Sequence, residues 1–238
     1  MKSPITYENL SLFTYTNDQL IPKEKIRGIV VFFNGLGATK MRPEDSPEGF
    51  LYASHGLIYL VPYGNPWAWM NRQQVAYTDE LIDVLLKHYG LDADFPVCSI
   101  GNSMGGLSCI VYTAYTKHHV ISCAANCPVC DLPYHYTERP DLPRTLYSAF
   151  YYEDGEIEEV LKTASPLHLI PRLPTIPYTI YHCELDKSVN KQMHSDVFVS
   201  ELQKTHTVTY VSVPESGHCA LPPEYQASFN DCVINSFS

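Results

Sequence analysis

A serine set among glycines is the strongest chemical signal in the chain. The stretch "VCSIGNSMGGLSCIV", residues 97–111, passes from one apolar run through Gly-Asn-Ser-Met-Gly-Gly into another. Its centre matches G-x-S-x-G, a pattern typical of a tight strand-to-helix turn that lifts a serine hydroxyl clear of a sheet. Glycine is needed at Gly101 and Gly105 because a side chain there would collide with neighbouring backbone. Ser103 is therefore a candidate nucleophile.

His218 is the histidine best placed to activate that serine. A hydroxyl is a poor nucleophile until a base removes its proton. In "VPESGHCAL" His218 follows the last predicted strand, and Gly217 frees the turn to project the imidazole. The imidazole in turn needs a carboxylate that fixes its tautomer. Asp186 in "YHCELDKSV" is favoured over the rival Glu184, because it lies further past its strand.

Two turns are expected to supply backbone N–H groups for a developing oxyanion. The predicted helix after Ser103 points its first N–H groups, that of Met104 above all, at the reacting centre. The loop "FFNGLGA" follows an earlier strand, and Gly35 and Gly37 let its backbone approach a substrate closely. This leaves Leu36 as the second donor. The alternative is that "NGLG" is simply a flexible strand-to-helix turn.

Strand-like and helix-like segments alternate along the chain, which predicts an α/β fold. Such alternation is typical of a mostly parallel central sheet with helices on both faces. Functional groups then collect at the carboxyl ends of the strands, where the candidate serine, acid and base all stand. Strands are predicted at 26–33, 56–64, 95–101, 120–129, 177–186 and 208–214, an antiparallel edge strand at 5–16, and helices near 44–54, 71–90, 104–118, 190–205 and 222–237.

The segment 131–174 departs from this alternation. It is rich in proline and tyrosine, and we expect a short lid-like excursion over the sheet, with residues 1–238 forming one domain. Aromatic residues near the strand ends are candidates for a substrate pocket, although tryptophan packing under a loop explains them equally well. The candidate pocket residues are Asn34, Gly35, Trp67, Trp69 and Tyr134.

Composition and charge exclude several classes of protein. The 238 residues are 45% hydrophobic and 18% charged, which predicts a globular protein with a large core. The formal net charge of -10 argues against binding to nucleic acid or to an anionic membrane surface. The sequence contains neither a recognisable signal peptide nor a long apolar segment, so we expect a cytoplasmic protein. The sequence leaves assembly into a homo-oligomer open.

The eight cysteines are expected to be reduced, because most stand in apolar runs where buried thiols behave as small hydrophobic groups. The "CPVC" stretch, residues 127–130, has thioredoxin-like spacing. It follows a strand in mid-chain rather than opening a helix, and a second ligand pair at zinc-finger spacing is missing. We therefore expect neither a redox motif nor a metal site there.

Four motifs together resemble the α/β-hydrolase superfamily of serine hydrolases. They are "FNGLGA", "GNSMGG", "HCELDKSV" and "SGHCAL", they place serine, acid and histidine in the order of that superfamily, and the resemblance runs from about Ile26 to Phe237. The chain is most similar to small carboxylesterases and to the catalytic domain of prolyl-oligopeptidase-type (S9 family) peptidases. It departs from hormone-sensitive-lipase-like esterases in reading "FNGLG" instead of "HGGG". It also lacks room for the β-propeller of the large peptidases.

The resemblance implies a carboxylesterase that cleaves short acyl or acetyl esters through an acyl-enzyme on Ser103. Its partner would be a small-molecule ester, and no metal or cofactor is implied. A small peptidase or amidase is the alternative, although the sequence shows no acidic pair to hold a substrate's amino end. A non-catalytic binding protein on the same scaffold is the third interpretation.

Overall fold

A seven-stranded sheet lies at the centre of the computed structural model, which describes residues 5–42 and 44–238. The strands are β1 (Thr14–Thr16), β2 (Gly28–Phe33), β3 (Leu57–Pro62), β4 (Val97–Asn102), β5 (Val120–Asn126), β6 (Tyr178–Cys183) and β7 (Val208–Val213). They lie in the order β1-β3-β2-β4-β5-β6-β7. Only β1 is antiparallel to its neighbour, and the other pairs are parallel. The predicted fold class is confirmed.

Helices cover both faces of this sheet. They are α1 (Pro47–Ser54), α2 (Arg72–Tyr89), α3 (Met104–Tyr115), α4 (Leu132–Glu138), α5 (Leu142–Phe150), α6 (Ile157–Lys162), α7 (Pro166–Leu169), α8 (Val197–Leu202) and α9 (Pro223–Asn235). One hydrophobic core packs α2, α3 and α8 against the sheet, and a second packs α1 and α9 against its other face. Among the described residues, no helix combines the length and the apolar character needed to cross a membrane.

The predicted edge strand at 5–16 is wrong over most of its length. Tyr7–Leu12 forms a 3-10 helix, and only the last three residues pair with β3. The backbone N–H of Thr6 donates to Asn9 Oδ1 at 2.8 Å, and Leu10 is buried in the core. Such local side-chain hydrogen bonds compete with strand pairing, and an apolar–polar alternation does not reveal them.

The strand order places a crevice beside β4. The chain runs from β2 to β3 on one side and then returns to β4 on the other side of β2. Loops that leave β2 and β4 at their carboxyl ends therefore diverge in opposite directions. Ligand sites in open α/β sheets form at such a reversal of strand order. The crevice is where the candidate residues after β2 and β4 must lie.

The segment 131–174 folds into the four short helices α4 to α7 and contacts the loop after β3. The indole N–H of Trp69 donates to Thr145 Oγ1 at 3.1 Å. The side-chain amide of Asn71 donates to the Ala149 carbonyl at 2.8 Å. The segment is thus hydrogen-bonded to the stretch between β3 and α2, close to the crevice.

A second attachment joins α4 to the stretch that precedes α8. Glu138 Oε2 lies 2.6 Å from His135 Nδ1 and 3.0 Å from His194 Nε2, and both histidines are buried. The other carboxylate oxygen accepts the backbone N–H of Asn190 at 3.1 Å. Burial alone would raise the pKa of Glu138, but the hydrogen bonds from the two histidines outweigh it and hold the pKa well below its usual range. Burial lowers the pKa of His135.

Acid is expected to weaken this attachment. A carboxyl group with a lowered folded-state pKa stabilises the protein above its unfolded value of 4.5, and that stability is lost as the pH falls. The lowered pKa of His135 acts in the same direction below about pH 6.5, because the unfolded chain then binds the extra proton. We expect Glu138→Gln to lower the Tm at neutral pH by roughly 4–8 °C, equivalent to about 2 kcal/mol.

The same substitution should flatten the loss of stability below about pH 4.5. The measurement is thermal unfolding followed by circular dichroism across that range. Glu158→Gln serves as the control, because Glu158 is an exposed carboxylate (71% exposed side chain) on α6. An identical pH slope in the wild type and both variants would contradict the assignment.

Candidate active site

Ser103 stands on a sharp turn between β4 and α3. Its backbone angles are φ 60° and ψ -123°, a conformation that L-residues rarely adopt. The turn is held because the Ser103 N–H donates to the Asn126 carbonyl at 2.9 Å. A Cβ at Gly101 would collide with the Gly105 carbonyl, and one at Gly105 would collide with the Phe33 carbonyl. Both glycines are therefore required by close backbone contact.

The three residues proposed from the sequence meet in one chain of hydrogen bonds. His218 Nε2 lies 2.8 Å from Ser103 Oγ, and His218 Nδ1 lies 2.6 Å from Asp186 Oδ2. A carboxylate only accepts, so Nδ1 carries a proton and the Nε2 of a neutral imidazole accepts from the serine hydroxyl. The rival Glu184 is exposed and accepts instead from Ser212 Oγ at 2.9 Å. The structure thus brings Asp186 to His218 and leaves Glu184 outside.

The carboxylate of Asp186 is buried and fully hydrogen-bonded. Its Oδ1 accepts the backbone N–H groups of Ser188 and Val189 at 2.8 and 3.0 Å. Its Oδ2 lies 3.3 Å from His182 Nε2 in addition to the bond from His218. Burial alone would raise the pKa of Asp186, but these hydrogen bonds hold it well below its usual range. The group is therefore a fixed negative charge at neutral pH.

His182 is a positioning residue that sequence reasoning missed. It is completely buried, its Nε2 lies 3.2 Å from the Val189 carbonyl, and its Nδ1 lies 2.6 Å from Ser195 Oγ. Because a carbonyl only accepts, Nε2 must carry the proton and Nδ1 must accept from the serine. That tautomer also directs an N–H toward Asp186. Its position four residues before Asp186 was the only sequence signal.

The environment of His218 favours its charged form. Burial lowers the pKa of an imidazole, but the hydrogen bond to Asp186 outweighs it and raises the pKa of His218 above its ordinary value. A histidine that removes a proton from Ser103 becomes an imidazolium. The neighbouring carboxylate stabilises that cation where it forms.

Residues at the end of β5 hold the loop that carries His218. β4 and β7 are three strands apart, which is roughly 14 Å at the usual spacing, so the loop after β7 must cross β6 and β5. The side-chain amide of Asn126 donates to the Cys219 carbonyl at 3.3 Å, and the Cys219 N–H points at Cys127 Sγ at 3.4 Å. Neither Asn126 nor Cys127 was expected from the sequence to serve the site.

The turn after β2 lies beside Ser103. A Cβ built on Gly35 would lie 3.6 Å from Ser103 Cβ, so the two backbones are close neighbours. Leu36 is half-buried in that turn, and Met104 is the first residue of α3. A cavity of about 40 Å³ opens between the two segments. Its lining includes Asn34, Gly35, Trp69, Gln74 and Met104.

The predicted pocket residues occupy different positions. Asn34, Gly35 and Trp69 line the cavity. Trp67 is 44% exposed and stands outside its lining. Tyr134 also stands outside it and packs edge-on against His194 with 5.5 Å between ring centroids. The aromatic residues therefore divide between the cavity wall, the surface and the attachment of α4.

Comparison with known proteins shows which solved structures have a similar fold. Neither a family model nor a curated protein matches the sequence. Among solved structures the chain is similar to puromycin hydrolase, with a TM-score of 0.69 and 17% identity over 91% of this chain and 34% of that one. It is also similar to an S-formylglutathione hydrolase from Agrobacterium tumefaciens (TM-score 0.66, 15% identity, 89% of this chain and 83% of that one). Esterase 2 from Thermogutta terrifontis gives a TM-score of 0.64 and 16% identity over 92% and 86% of the two chains.

These similarities concern the fold. The chain spans about a third of the length of puromycin hydrolase, and most of the length of the other two proteins. Together with the mostly parallel sheet and the sharp turn at Ser103, they show that the chain has the α/β-hydrolase fold.

The arrangement predicts how strongly Asp186 activates Ser103. We expect Asp186→Asn to slow covalent labelling of Ser103 by a fluorophosphonate about 10³-fold or more, because an amide that donates to Nδ1 fixes the wrong imidazole tautomer. Glu184→Gln is the matched control, with an exposed carboxylate two residues away, and should label at the wild-type rate. Labelling rates measured by intact-protein mass spectrometry decide the matter. Equal slowing in both variants would show that Asp186 has no specific role in activating Ser103.

Proposed function

We propose that the protein is a serine hydrolase that cleaves carboxylic esters of short acyl groups through an acyl-enzyme on Ser103. One observation carries the proposal. Ser103 Oγ lies 2.8 Å from a histidine nitrogen whose partner nitrogen lies 2.6 Å from the buried carboxylate of Asp186. A serine in this setting is equipped to attack an ester carbonyl.

The reaction then runs in two halves. Ser103 Oγ attacks the carbonyl carbon while His218 Nε2 takes the hydroxyl proton. The resulting tetrahedral intermediate collapses, and His218 returns that proton to the leaving alcohol. Water, deprotonated by the same nitrogen, attacks the acyl-enzyme and releases the acid. Asp186 stays ionised throughout and stabilises the imidazolium in both halves.

The backbone N–H groups of Met104 and Leu36 are the proposed oxyanion donors. Met104 begins α3, whose amino-terminal dipole favours negative charge beside Ser103. The turn that carries Leu36 lies next to Ser103 through Gly35. Loss of one such donor typically costs about 3–4 kcal/mol of transition-state stabilisation.

The size of the cavity supports short acyl groups. It holds about 40 Å³ beside Gly35 and Met104. Because one water occupies roughly 10–15 Å³ of such a cavity, the space takes about three or four non-hydrogen atoms. An acetyl or propionyl group fits that volume. Half-buried Gln74 forms part of the wall. We propose that its side chain limits the length of the acyl group.

Two further points bear on the substrate. The Agrobacterium and Thermogutta proteins of similar fold are an S-formylglutathione hydrolase and an esterase by name, which supports ester cleavage. Puromycin hydrolase and a Pyrococcus horikoshii acylaminoacyl peptidase have the same fold, and they keep a small peptidase or amidase as the second candidate.

We also propose that the segment 131–174 acts as a lid over part of the site, in a small soluble protein that works on small-molecule esters.

A panel of p-nitrophenyl esters of graded chain length tests the proposal. We expect kcat/KM to be highest for acetyl and propionyl esters and to fall at least about tenfold by hexanoyl, because longer chains exceed the cavity. Ser103→Ala should abolish turnover of every ester. Aminoacyl-p-nitroanilides, assayed alongside, should be hydrolysed far more slowly. A preference for the anilides would move the assignment to the peptidase candidate, and full activity in the alanine variant would end it.

Gln74 should control acyl length. We expect Gln74→Ala to raise kcat/KM for butyryl and hexanoyl esters relative to acetyl by roughly 10-fold, because removal of about four non-hydrogen atoms lengthens the cavity. Gln73→Ala is the matched control, since Gln73 is exposed and does not line the cavity. The same ester panel provides the measurement. An unchanged chain-length profile in the Gln74 variant would place the acyl group elsewhere.

A further inference from the structure

Two cysteines stand beside His218. Cys219 Sγ lies 3.6 Å from His218 Nε2, the nitrogen that faces Ser103. The sulfurs of Cys127 and Cys219 and a ring nitrogen of His218 all lie within 4.8 Å of one another. Neither thiol takes part in the proposed ester cleavage. We propose that Cys127, Cys219 and His218 form a binding site for a soft divalent cation, Zn²⁺ above all, and that the bound ion blocks the catalytic base.

The spacing of the three atoms suits such an ion. Because the three ligand atoms, one from each residue, all lie within 4.8 Å of one another, a point exists within about 2.8 Å of all three. Zinc bonds are about 2.3 Å to thiolate sulfur and about 2.0 Å to imidazole nitrogen, so inward movements of less than about 1 Å complete the contacts. Ser103 Oγ or a water takes the fourth position of a tetrahedron.

The surroundings of the three groups match those of metal ligands. His218 donates Nδ1–H to Asp186, as metal-bound histidines commonly do to a carboxylate, and this leaves the Nε2 lone pair available. Cys127 Sγ faces the backbone N–H groups of Cys183 and Cys219, each at 3.4 Å. Zinc is favoured over calcium or magnesium because two of the three ligands are sulfur.

The cluster of His135, Glu138 and His194 makes an instructive contrast. Its ligand atoms are equally close together. However, His194 Nδ1 accepts the backbone N–H groups of Cys130 and Asp131, each at 3.2 Å, so its Nε2 must carry a proton. A metal at that Nε2 would require an imidazolate. The cluster beside Ser103 has no such obstacle.

Binding changes no oxidation state. The two thiol S–H bonds break, their protons pass to solvent, and two metal–sulfur bonds form together with one bond from the Nε2 lone pair. The +2 charge of the ion is balanced by two thiolates. The Nε2 lone pair is then unavailable to the Ser103 hydroxyl, so the serine is no longer activated. Removal of the ion by a chelator restores the thiols and the base.

The test is a Cd²⁺ titration of the full chain, without oxygen and with a reductant, because cadmium thiolates absorb in the near ultraviolet whereas zinc thiolates do not. We expect thiolate-to-cadmium absorption that saturates at one ion per chain, and parallel loss of p-nitrophenyl acetate hydrolysis that EDTA reverses. Cys219→Ser and Cys219→Ala should lose the absorption, and the half-inhibitory concentration of Cd²⁺ and Zn²⁺, measured against each variant's own uninhibited activity, should rise at least about 100-fold. Cys232→Ser, which alters the other partly exposed cysteine, should behave as wild type.

Each contrary result overturns the proposal. Absorption that survives in both Cys219 variants, or that disappears in Cys232→Ser, assigns the ion to other thiols. Inhibition by Cd²⁺ that is equal in wild type and the Cys219 variants places the inhibitory ion elsewhere. The inhibition arm rests on the proposed function, whereas the absorption arm does not. A chain that binds one Cd²⁺ through Cys219 but hydrolyses no ester would therefore contradict the function and leave the metal site standing.

Discussion

The buried negative charge of Asp186 is the constraint on which the site depends. A carboxylate removed from water is strongly destabilising unless hydrogen bonds compensate for the lost hydration. Four donors compensate here: two backbone N–H groups of its own loop, His218 from the loop after β7, and His182 from β6. Because these donors come from three segments, satisfying one charge fixes the position of all three. The catalytic base is thus oriented by the same contacts that make the buried acid tolerable.

The second constraint comes from the sheet. Ser103 follows β4 and His218 lies in the loop after β7, and two strands separate β4 from β7 in the sheet. Asn126 at the end of β5 bridges that gap, because its carbonyl accepts the Ser103 N–H and its side chain donates to the Cys219 carbonyl. One residue therefore ties the turn of the nucleophile to the loop of the base. The short distance between Ser103 and His218 follows from the position of this asparagine and not from sequence proximity.

How well each part of the structure could be predicted from the sequence depends on whether local or long-range interactions determine that part. The sheet and its helices follow from apolar runs and periodicity, and the glycines around Ser103 follow from a local backbone requirement, so both are visible in the sequence. Asn126 and Cys127 act on residues that are near only in the folded chain, and their local sequence gives no sign of it. For His182 the spacing to Asp186 is visible in the sequence, but its contacts with Val189 and Ser195 are not. The strand expected at 5–16 fails for a related reason, since the Thr6–Asn9 hydrogen bond and the burial of Leu10 favour a 3-10 helix over pairing. Asp186 could be preferred to Glu184, but only the structure shows Glu184 bonded to Ser212.

The cysteines show how a requirement of catalysis creates an opportunity for a metal. Cys127 lies under the loop of His218, where its sulfur accepts the Cys219 N–H. Its contact with the Cys219 thiol, together with burial, raises the pKa of Cys127 well above its usual range. In the free protein a neutral thiol therefore faces the imidazole and does not compete with Ser103 as an anion. General-base catalysis also demands an imidazole whose Nε2 lone pair is free and whose Nδ1–H is held by a carboxylate. Those are the properties of a metal-binding histidine. A soft cation that displaces the thiol protons finds its third ligand already oriented, so sensitivity to such ions follows from placing sulfur beside this base.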